Sequence, residues 1–171
     1  MSPTKTKKEP ELFAPHYVAV FDGPIGKIWV ESDGLLITRV SFDALRGRSA
    51  KEPLVLTDAQ KQLQAYFDRK RRKFDLPVQR LGTRFQKLVL DAVDDIPFGK
   101  TMTYQAIGDR IGGKAIARTV GNACGRNPVP VIVPCHRVIA VDGLLTGYVG
   151  GLWRKRWLLQ HEGVLSKDLF T

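Results

Sequence analysis

Short runs of valine, isoleucine and aromatic residues alternate with turn-forming residues in the first part of the chain. The runs cover Tyr17 to Phe21, Lys27 to Glu31 and Leu35 to Phe42. Between them lie Asp22-Gly23-Pro24-Ile25-Gly26 and Ser32-Asp33-Gly34, which contain the residues that tight turns prefer. The pattern predicts three strands joined as hairpins in an antiparallel sheet.

The hydrophobic spacing then changes to intervals of three and four. Leu63, Tyr66 and Phe67 share one face of a predicted helix that Thr57 caps and that breaks near Asp68. This helix is expected to pack on one face of the sheet.

A second helical pattern follows Gly82-Thr83 and stops at Pro97-Phe98-Gly99. The change in pattern predicts a domain boundary near residue 81, which separates residues 1–80 from residues 81–171. Residues 1–15 carry three lysines, three prolines and little apolar content, so they are predicted to form a mobile tail. The apolar positions of the second helix are Phe85, Leu88, Val89, Ala92 and Val93.

Two further helices are separated by glycines. Thr103 is placed to cap a helix from Tyr104 to Ile111, Gly112-Gly113 turns the chain, and another helix spans about Ala115 to Gly125. This arrangement is typical of a helix-turn-helix. The second of these helices consists mainly of small residues, which fits either close approach to a binding partner or close packing against a neighbouring helix.

The charge balance favours a polyanionic partner. Lysine and arginine total 27 against 17 aspartates and glutamates, a net charge of +10 with a pI near 9.9. A solvated basic surface explains the same composition. The run Arg69-Lys70-Arg71-Arg72-Lys73 is likewise open to three interpretations: a localisation signal, a phosphate contact, or a solvated helix end whose cations complement the helix dipole.

Length and composition indicate an intracellular globular protein. The 171 residues are 43% hydrophobic, which is enough to bury a core. No apolar stretch is long enough to cross a bilayer, and no apolar segment of a signal peptide follows the basic N-terminus. The two cysteines, Cys124 and Cys135, are expected to be free thiols.

The candidate chemistry lies in residues 127–139. Prolines at 128, 130 and 134 exclude an ordinary helix and a central strand, so this segment is predicted to be extended and stiff. It delivers Cys135, beside which His136 and Arg137 offer a base and a positive charge to favour the nucleophilic thiolate. Adjacent residues of a strand point to opposite faces, so Cys135 and His136 need a turn or a bridging water to interact.

Glu162 is the candidate for the group that orients His136. Gly163 is expected to cap the C-terminus of a helix, where the helix dipole disfavours an anion such as Glu162. A local rule broken at one place indicates function. The alternative for Cys135 is a buried structural thiol, which is the role predicted for Cys124.

Taken in order, these motifs resemble the O6-alkylguanine-DNA alkyltransferases over about residues 82 to 163, and the first half resembles them more loosely. The residues that carry the resemblance are Pro97-Phe98-Gly99, Thr103-Tyr104, Ala117-Arg118-Thr119-Val120-Gly121, Asn127-Pro128, Pro134-Cys135-His136-Arg137-Val138, Asp142-Gly143, Gly147-Tyr148-Val149-Gly150-Gly151-Leu152, Lys155, Leu158-Leu159 and Glu162-Gly163.

The resemblance implies an α/β plus α fold: a ribonuclease-H-like domain of sheet and helix, then a helical domain with a winged helix-turn-helix. It implies DNA repair by direct reversal, in which an alkyl group of O6-alkylguanine, or of O4-alkylthymine, in duplex DNA is transferred irreversibly to Cys135. No cofactor is implied. The protein would be a monomer in the cytoplasm, on the nucleoid, or in the nucleus, and cooperative binding to DNA is left open.

The resemblance also assigns catalytic roles. Glu162 orients His136, which takes the proton of Cys135 through a water. Asn127 connects the recognition helix, which is the helix of small residues, to the active-site segment. Tyr104 crowds the phosphate beside the target nucleotide and protonates the departing guanine.

For DNA, the resemblance places the small-residue helix in the minor groove, where Arg118 fills the gap left by a flipped guanine. Ala117, Thr119 and Gly121 would contact the groove, although Thr119 stands where the family usually has alanine. The zinc site of some relatives needs cysteines in the first half, which has none, so no metal is predicted. The pocket for the flipped base would consist of Tyr148, Val138, Val149, Gly150 and Lys155, with Lys155 shaping the Gly150-Gly151 loop.

Three other functions are considered. A non-enzymatic lesion sensor of the alkyltransferase-like type carries tryptophan where Cys135 stands. A winged-helix transcription factor reads the major groove with larger polar side chains than those of residues 115–125. A Cys-His hydrolase needs an oxyanion hole and an acyl pocket that the sequence does not indicate.

Overall fold

The computed structural model of the chain describes residues 16–47, 52–112 and 117–166. The predicted mobile tail, residues 1–15, lies outside them. The elements in chain order are β1 (Tyr17–Gly23), β2 (Gly26–Ser32), β3 (Ile37–Ser41), α1 (Leu54–Phe67), α2 (Arg84–Asp94), β4 (Met102–Thr103), α3 (Tyr104–Arg110), α4 (Ala117–Gly125), β5 (Val138–Ile139) and α5 (Leu152–His161).

The first three strands form the predicted antiparallel hairpin sheet in the order β1-β2-β3. The third strand begins two residues later than predicted. The carboxylate of Asp33 accepts hydrogen bonds from the backbone amides of Leu35 and Leu36, at 2.9 and 2.8 Å, which keeps both residues in the turn. Leu35 is therefore exposed, and Ile37 is the first residue of the strand to be buried.

Helix α1 packs on the sheet, as predicted, but the prediction that Thr57 caps it is wrong. The helix starts at Leu54 after Pro53, and the backbone amide of Thr57 donates to the Pro53 carbonyl, so Thr57 lies inside the first turn. Proline suits this end because its fixed backbone angle needs no adjustment and no amide is lost. The helix ends at Phe67, beside the predicted break.

The basic run 69–73 begins after the helix and not within its last turn. Arg69 adopts a positive φ of 59°, and the backbone amides of Lys70 and Arg71 return to the Ala65 carbonyl. Four of the five cations are exposed and stand near the C-terminal end of the α1 dipole. The choice among the three interpretations of this run stays a prediction.

The helix starts predicted for the second half are largely confirmed. Thr83 and Gln86 form a capping box at the start of α2, and the Thr103 side chain accepts from the Ala106 amide at the start of α3. The predicted start of the next helix at Ala115 lies outside the described residues, and α4 is described from Ala117. Strand β4 pairs in parallel with β5 and so anchors α3 beside the segment that follows Cys135.

Helix α4 packs closely against neighbouring helices, which is one of the two uses considered for its small residues; its use for approach to a partner stays a prediction. Val120, Ala123 and Cys124 are buried, and the helix contacts α2 and α3. On its outer side Arg118 and Thr119 are exposed. One face therefore packs closely against neighbouring helices while the other is open to a partner.

Both halves of the chain share an extensive contact. The backbone amide of Val40 in β3 donates to the Pro128 carbonyl at 2.8 Å, and the Arg154 side chain in α5 donates to the Ile25 carbonyl at 2.9 Å. The predicted boundary near residue 81 stays a prediction. Within the part of the chain that is described, no helix has the length and apolarity needed to cross a membrane.

The packing of α1 on the sheet yields a stability prediction. Leu63 is fully buried, so Leu63→Ala should lower the free energy of unfolding by roughly 2–5 kcal/mol through lost burial and the cavity left behind. Urea denaturation measures this change. The exposed neighbour Lys61 provides the control, because Lys61→Ala should alter stability by less than about 0.5 kcal/mol. Equal effects of the two variants would contradict the placement of Leu63 in the core.

Candidate active site

The sequence predicted that the segment carrying Cys135 is extended. This prediction is wrong at Cys135–Arg137. Cys135–Arg137 forms a single 3-10 turn in which the Arg137 amide donates to the Pro134 carbonyl at 2.9 Å. The prolines do exclude an α-helix and a long strand, but they do not prevent this tighter turn. The turn removes the strand geometry that would have sent Cys135 and His136 to opposite faces.

Asn127 fixes the loop before Cys135. Its side chain donates to the Val133 carbonyl at 2.9 Å and accepts from the Val129 amide at 3.1 Å. Its own backbone amide donates to the carbonyl of Cys124, near the end of α4. Asn127 therefore connects helix α4 to the active-site turn, which is the placement that the resemblance implied.

The carboxylate of Glu162 lies at the centre of the site and accepts five hydrogen bonds. Its Oε1 accepts from His136 Nε2 at 2.7 Å, from the Tyr66 hydroxyl at 2.7 Å and from Arg137 at 3.0 Å. Its Oε2 accepts from Arg137 Nε at 2.9 Å and from the Gly99 amide at 3.1 Å. The side chain is fully buried, and no oxygen of the carboxylate is left unpaired.

Glu162 is ionised in this setting. Burial raises its pKa, but the hydrogen bonds and charges of His136 and Arg137 outweigh burial and hold the pKa well below its usual range. Glu162 caps the C-terminus of α5, and Gly163 follows with a φ of 78°, as predicted. The five donors offset the repulsion between this anion and the helix dipole.

Arg137 has a different position from the one expected. The sequence offered it as a positive charge for Cys135, but its guanidinium pairs with both oxygens of Glu162 and donates to the Ile96 carbonyl at 2.6 Å. It therefore acts on the carboxylate that holds the base and not on the thiol.

His136 is held in one orientation and one tautomer. A carboxylate can only accept, so the Nε2 that faces Glu162 carries the proton and Nδ1 keeps its lone pair. Nδ1 is buried and has no hydrogen-bond partner among the described residues. Burial lowers the pKa of His136 more than Glu162 raises it, so the ring is neutral and its free nitrogen can accept a proton.

Cys135 is a thiol in the resting site. Burial raises its pKa, while a hydrogen bond from Asn127 and the positive charge of Lys155 oppose burial without overcoming it. A nucleophilic thiolate therefore has to be formed when a substrate is bound, by transfer of the proton to a base.

Cys135 lines an open pocket of about 580 Å³ beside helix α4. Among the predicted site residues, the pocket brings together Tyr104, Ala117, Arg118, Gly121, Cys135, Tyr148 and Val149. Thr119 lines a neighbouring groove, and Val138, Gly150 and Lys155, which were predicted to form the pocket, are buried and do not line it. The other lining residues are Asn122, Cys124, Gly125, Thr146 and Gly147.

Two residues of this pocket have features that the sequence did not reveal. Cys124, predicted to be structural, also lines the pocket, and burial raises its pKa to about 12. The hydroxyl of Tyr148 is buried without a hydrogen-bond partner among the described residues. Both cysteines are free, as predicted.

Lys155 is fully buried and connects parts of the pocket wall by hydrogen bonds. Its ammonium donates to the carbonyls of Val138 at 2.7 Å, Thr146 at 3.1 Å and Gly147 at 3.4 Å, and to the Tyr104 hydroxyl at 3.3 Å. The sequence predicted that Lys155 shapes the Gly150-Gly151 loop. Its ammonium instead binds the loop three to four residues earlier.

The Gly150-Gly151 loop is shaped by the N-terminal half. A Cβ on Gly150 would stand 2.5 Å from the Phe42 ring and 2.9 Å from Arg154, so no larger residue fits there. The Arg154 guanidinium lies over the ring of Phe42 at 4.6 Å. Sequence reasoning missed Phe42 and Tyr66, because ordinary core residues occupy similar positions, and it missed Arg154, because its partners Ile25 and Phe42 lie in the other half of the chain.

No group of three or more histidine, cysteine, aspartate or glutamate side chains is placed to hold a metal ion in residues 16–47, 52–112 and 117–166.

Comparison with known proteins covers both halves of the chain. A family model described as the ribonuclease-like domain of 6-O-methylguanine DNA methyltransferase matches residues 16–79, and one described as its DNA-binding domain matches residues 84–164. The predicted fold class, a ribonuclease-like domain followed by a helical DNA-binding domain, is confirmed.

Individual relatives agree with the family models. The methylated-DNA--protein-cysteine methyltransferase of Methanosarcina acetivorans is 41% identical over 86% of this chain and 98% of its own length. The constitutive methylated-DNA--protein-cysteine methyltransferase of Bacillus subtilis is 34% identical over 90% of this chain and 99% of its own length. A crystal structure of Mycobacterium tuberculosis OGT in complex with DNA is 40% identical with a TM-score of 0.77, covering 85% of this chain and 92% of its own.

These matches extend through the Cys135 pocket and the sheet that packs behind it, so their agreement concerns the whole described fold and not one motif. The chain belongs to the 6-O-methylguanine DNA methyltransferase family.

Proposed function

We propose that the protein repairs DNA by transferring an alkyl group from O6-alkylguanine to the sulfur of Cys135, in a single irreversible turnover. The observation that carries this proposal is the position of Cys135: it lines an open pocket beside the recognition helix, and the next residue, His136, is an oriented, neutral base. A thioether has no ready leaving group, so each molecule acts once.

The transfer begins with the thiol proton. A water between Cys135 and the unpartnered His136 Nδ1 would carry the proton to the imidazole, and Glu162 stabilises the imidazolium that forms. The thiolate attacks the alkyl carbon, the sulfur–carbon bond forms as the carbon–O6 bond breaks, and the electron pair remains on the guanine.

Tyr104 would return a proton to the guanine anion. Its side chain lines the pocket, and its hydroxyl donates to the Thr146 carbonyl at 3.1 Å and accepts from Lys155 at 3.3 Å. Burial raises the pKa of Tyr104 at rest, so the tyrosinate formed by proton donation needs the nearby ammonium of Lys155. The thiol proton, passed back from His136, restores Tyr104 and balances the reaction.

Recognition of the base falls to the rest of the pocket. The unpartnered Tyr148 hydroxyl supplies a hydrogen-bonding group to a flipped guanine, and Val149 offers apolar contact. Val138, Gly150 and Lys155, which do not line the pocket, would support this wall.

Duplex DNA would bind across α4. Ala117, Thr119 and Gly121 are small enough for the helix to enter a minor groove, and Arg118 at the pocket edge would occupy the space of the flipped nucleotide. Asn127 maintains the position of this helix relative to Cys135. The protein would act wherever its cell keeps the genome, in the nucleoid region or the nucleus.

The direct test is the mass of the protein after incubation with a duplex that carries one O6-methylguanine. We expect a gain of one methyl group per molecule, and none in Cys135→Ala. Trypsin separates the two candidate acceptors, because Cys135 lies in the peptide 127–137 and Cys124 in the peptide 119–126. A methyl group on 119–126, or tight binding without any gain in mass, would reject Cys135 as the acceptor.

The role of Arg118 predicts a substrate-dependent defect. Arg118→Ala should slow transfer from duplex DNA by at least about tenfold, because flipping costs a few kcal/mol that the wedge offsets. Transfer from the free base O6-methylguanine, which needs no flipping, should change little. Arg39→Ala, which removes an exposed arginine of β3, is the control for lost charge. An equal defect on both substrates would show that Arg118 serves the pocket and not the duplex.

The charge of +10 predicts electrostatic binding to DNA. Raising salt from about 50 to about 200 mM should weaken binding to an undamaged duplex by at least about tenfold, because each phosphate contact releases counterions. Fluorescence anisotropy measures the affinity. An affinity that does not change with salt would contradict a phosphate-contacting surface.

A further inference from the structure

Tyr66, which lies in α1 of the N-terminal half, contacts the carboxylate that orients His136. Its hydroxyl donates to Oε1 of Glu162 at 2.7 Å, the same oxygen and the same distance at which His136 Nε2 donates. Tyr66 and the Glu162 side chain are both fully buried. These two donors therefore share one buried carboxylate oxygen, which also accepts from Arg137 at 3.0 Å.

The position of Tyr66 is held at both of its ends. Its backbone carbonyl is within 2.9 Å of His161 Nε2, and its ring packs against Phe67, Phe74 and Phe98 at centroid distances of 5.2, 5.3 and 6.0 Å. The hydroxyl cannot turn away from Glu162 without disturbing this cluster. The hydrogen bond is thus built into the contact between the two halves.

We propose that Tyr66 is a positioning residue for alkyl transfer: its hydroxyl holds the Glu162 carboxylate and limits how strongly that carboxylate attracts the His136 proton. The proposal rests on the transfer function described above. A hydrogen bond that withdraws negative charge from Oε1 leaves less for the imidazolium, so the histidine stays neutral and able to act as a base.

Several other charged or titratable groups surround His136 and set the background for this effect. Arg137 and Lys155 disfavour the imidazolium, while Glu162 favours it. Cys135 precedes it in the turn, and the Tyr148 ring stands edge-on at 6.5 Å. Tyr66→Phe removes none of the charged or ring groups that Arg137, Lys155 and Tyr148 contribute around His136.

Tyr66→Phe isolates the hydroxyl because it keeps the ring and its packing. With one donor removed from Oε1, the carboxylate stabilises the imidazolium more strongly and the pKa of His136 rises. The neutral base is then lost at a higher pH, so the acidic limb of the single-turnover rate profile should move upward by roughly 0.5–1 unit. The His136 titration followed by nitrogen-15 NMR should move by the same amount and in the same direction.

Tyr17→Phe is the matched control, because Tyr17 is the first residue of β1 and is not part of the Cys135 pocket. It should leave both the rate profile and the His136 titration as in the unmodified protein. The proposal is overturned if Tyr66→Phe lowers the rate equally at all pH values without moving the limb, which is the behaviour of a purely structural residue. It is also overturned if the His136 titration stays in place, moves downward, or moves equally in Tyr17→Phe.

The NMR measurement does not depend on repair activity. If the unmodified full-length protein gains no methyl group from damaged duplex, the proposed function fails, while the titration of His136 in the two variants still decides whether Tyr66 governs the base.

Discussion

The buried carboxylate of Glu162 is the group on which the arrangement of the active site depends. A carboxylate without solvent is stable only when its oxygens are paired, and removing one partner of a buried ion pair typically costs roughly 3–5 kcal/mol. Glu162 is paired by the active-site turn through His136 and Arg137, by the segment after α2 through Gly99, and by the N-terminal half through Tyr66. Meeting one electrostatic requirement thus brings three separate parts of the chain to one point.

The same pairing explains why His136 Nδ1 has no hydrogen-bond partner among the described residues, because Nε2 is committed to Glu162. The buried Tyr148 hydroxyl, whose ring stands edge-on to His136, also has no partner among those residues. Buried polar atoms are normally hydrogen-bonded, so unsatisfied ones indicate a place for a water or a ligand. In the proposed reaction these atoms receive the proton-carrying water and the flipped base, without rearrangement of the groups that hold them.

The sequence predicts features that depend on neighbouring residues better than features that depend on contacts between distant residues. Local signals were sufficient for the hairpin sheet, for the start of a helix after Gly82-Thr83, for the cap at Thr103, and for the glycine that follows Glu162. The prediction that Thr57 caps α1 is wrong because the helix starts earlier, after a proline that lies three residues before the first buried apolar residue. The family resemblance supplied the order of the residues that carry the chemistry. The family models that match the chain describe the same family.

Long-range contacts were outside the reach of the sequence. The spacing of Tyr66 describes a core residue, and nothing in it indicates that its hydroxyl meets a carboxylate 96 positions later. Arg137 follows His136 directly, which suggested a role toward Cys135, but the 3-10 turn directs its guanidinium to Glu162. Phe42 shapes the Gly150 loop through a contact between halves that neither local pattern contains.

The tautomer of His136 is the sharpest test of the proposed proton transfer from Cys135. Nitrogen-15 NMR of the unmodified protein near neutral pH, with the ring signals assigned by their loss in His136→Gln, distinguishes the two ring nitrogens. The proposed transfer requires a neutral ring with the proton on Nε2, facing Glu162, and a bare Nδ1. A proton on Nδ1, or a ring that is already charged, would contradict it, because His136 could not then accept the proton of Cys135.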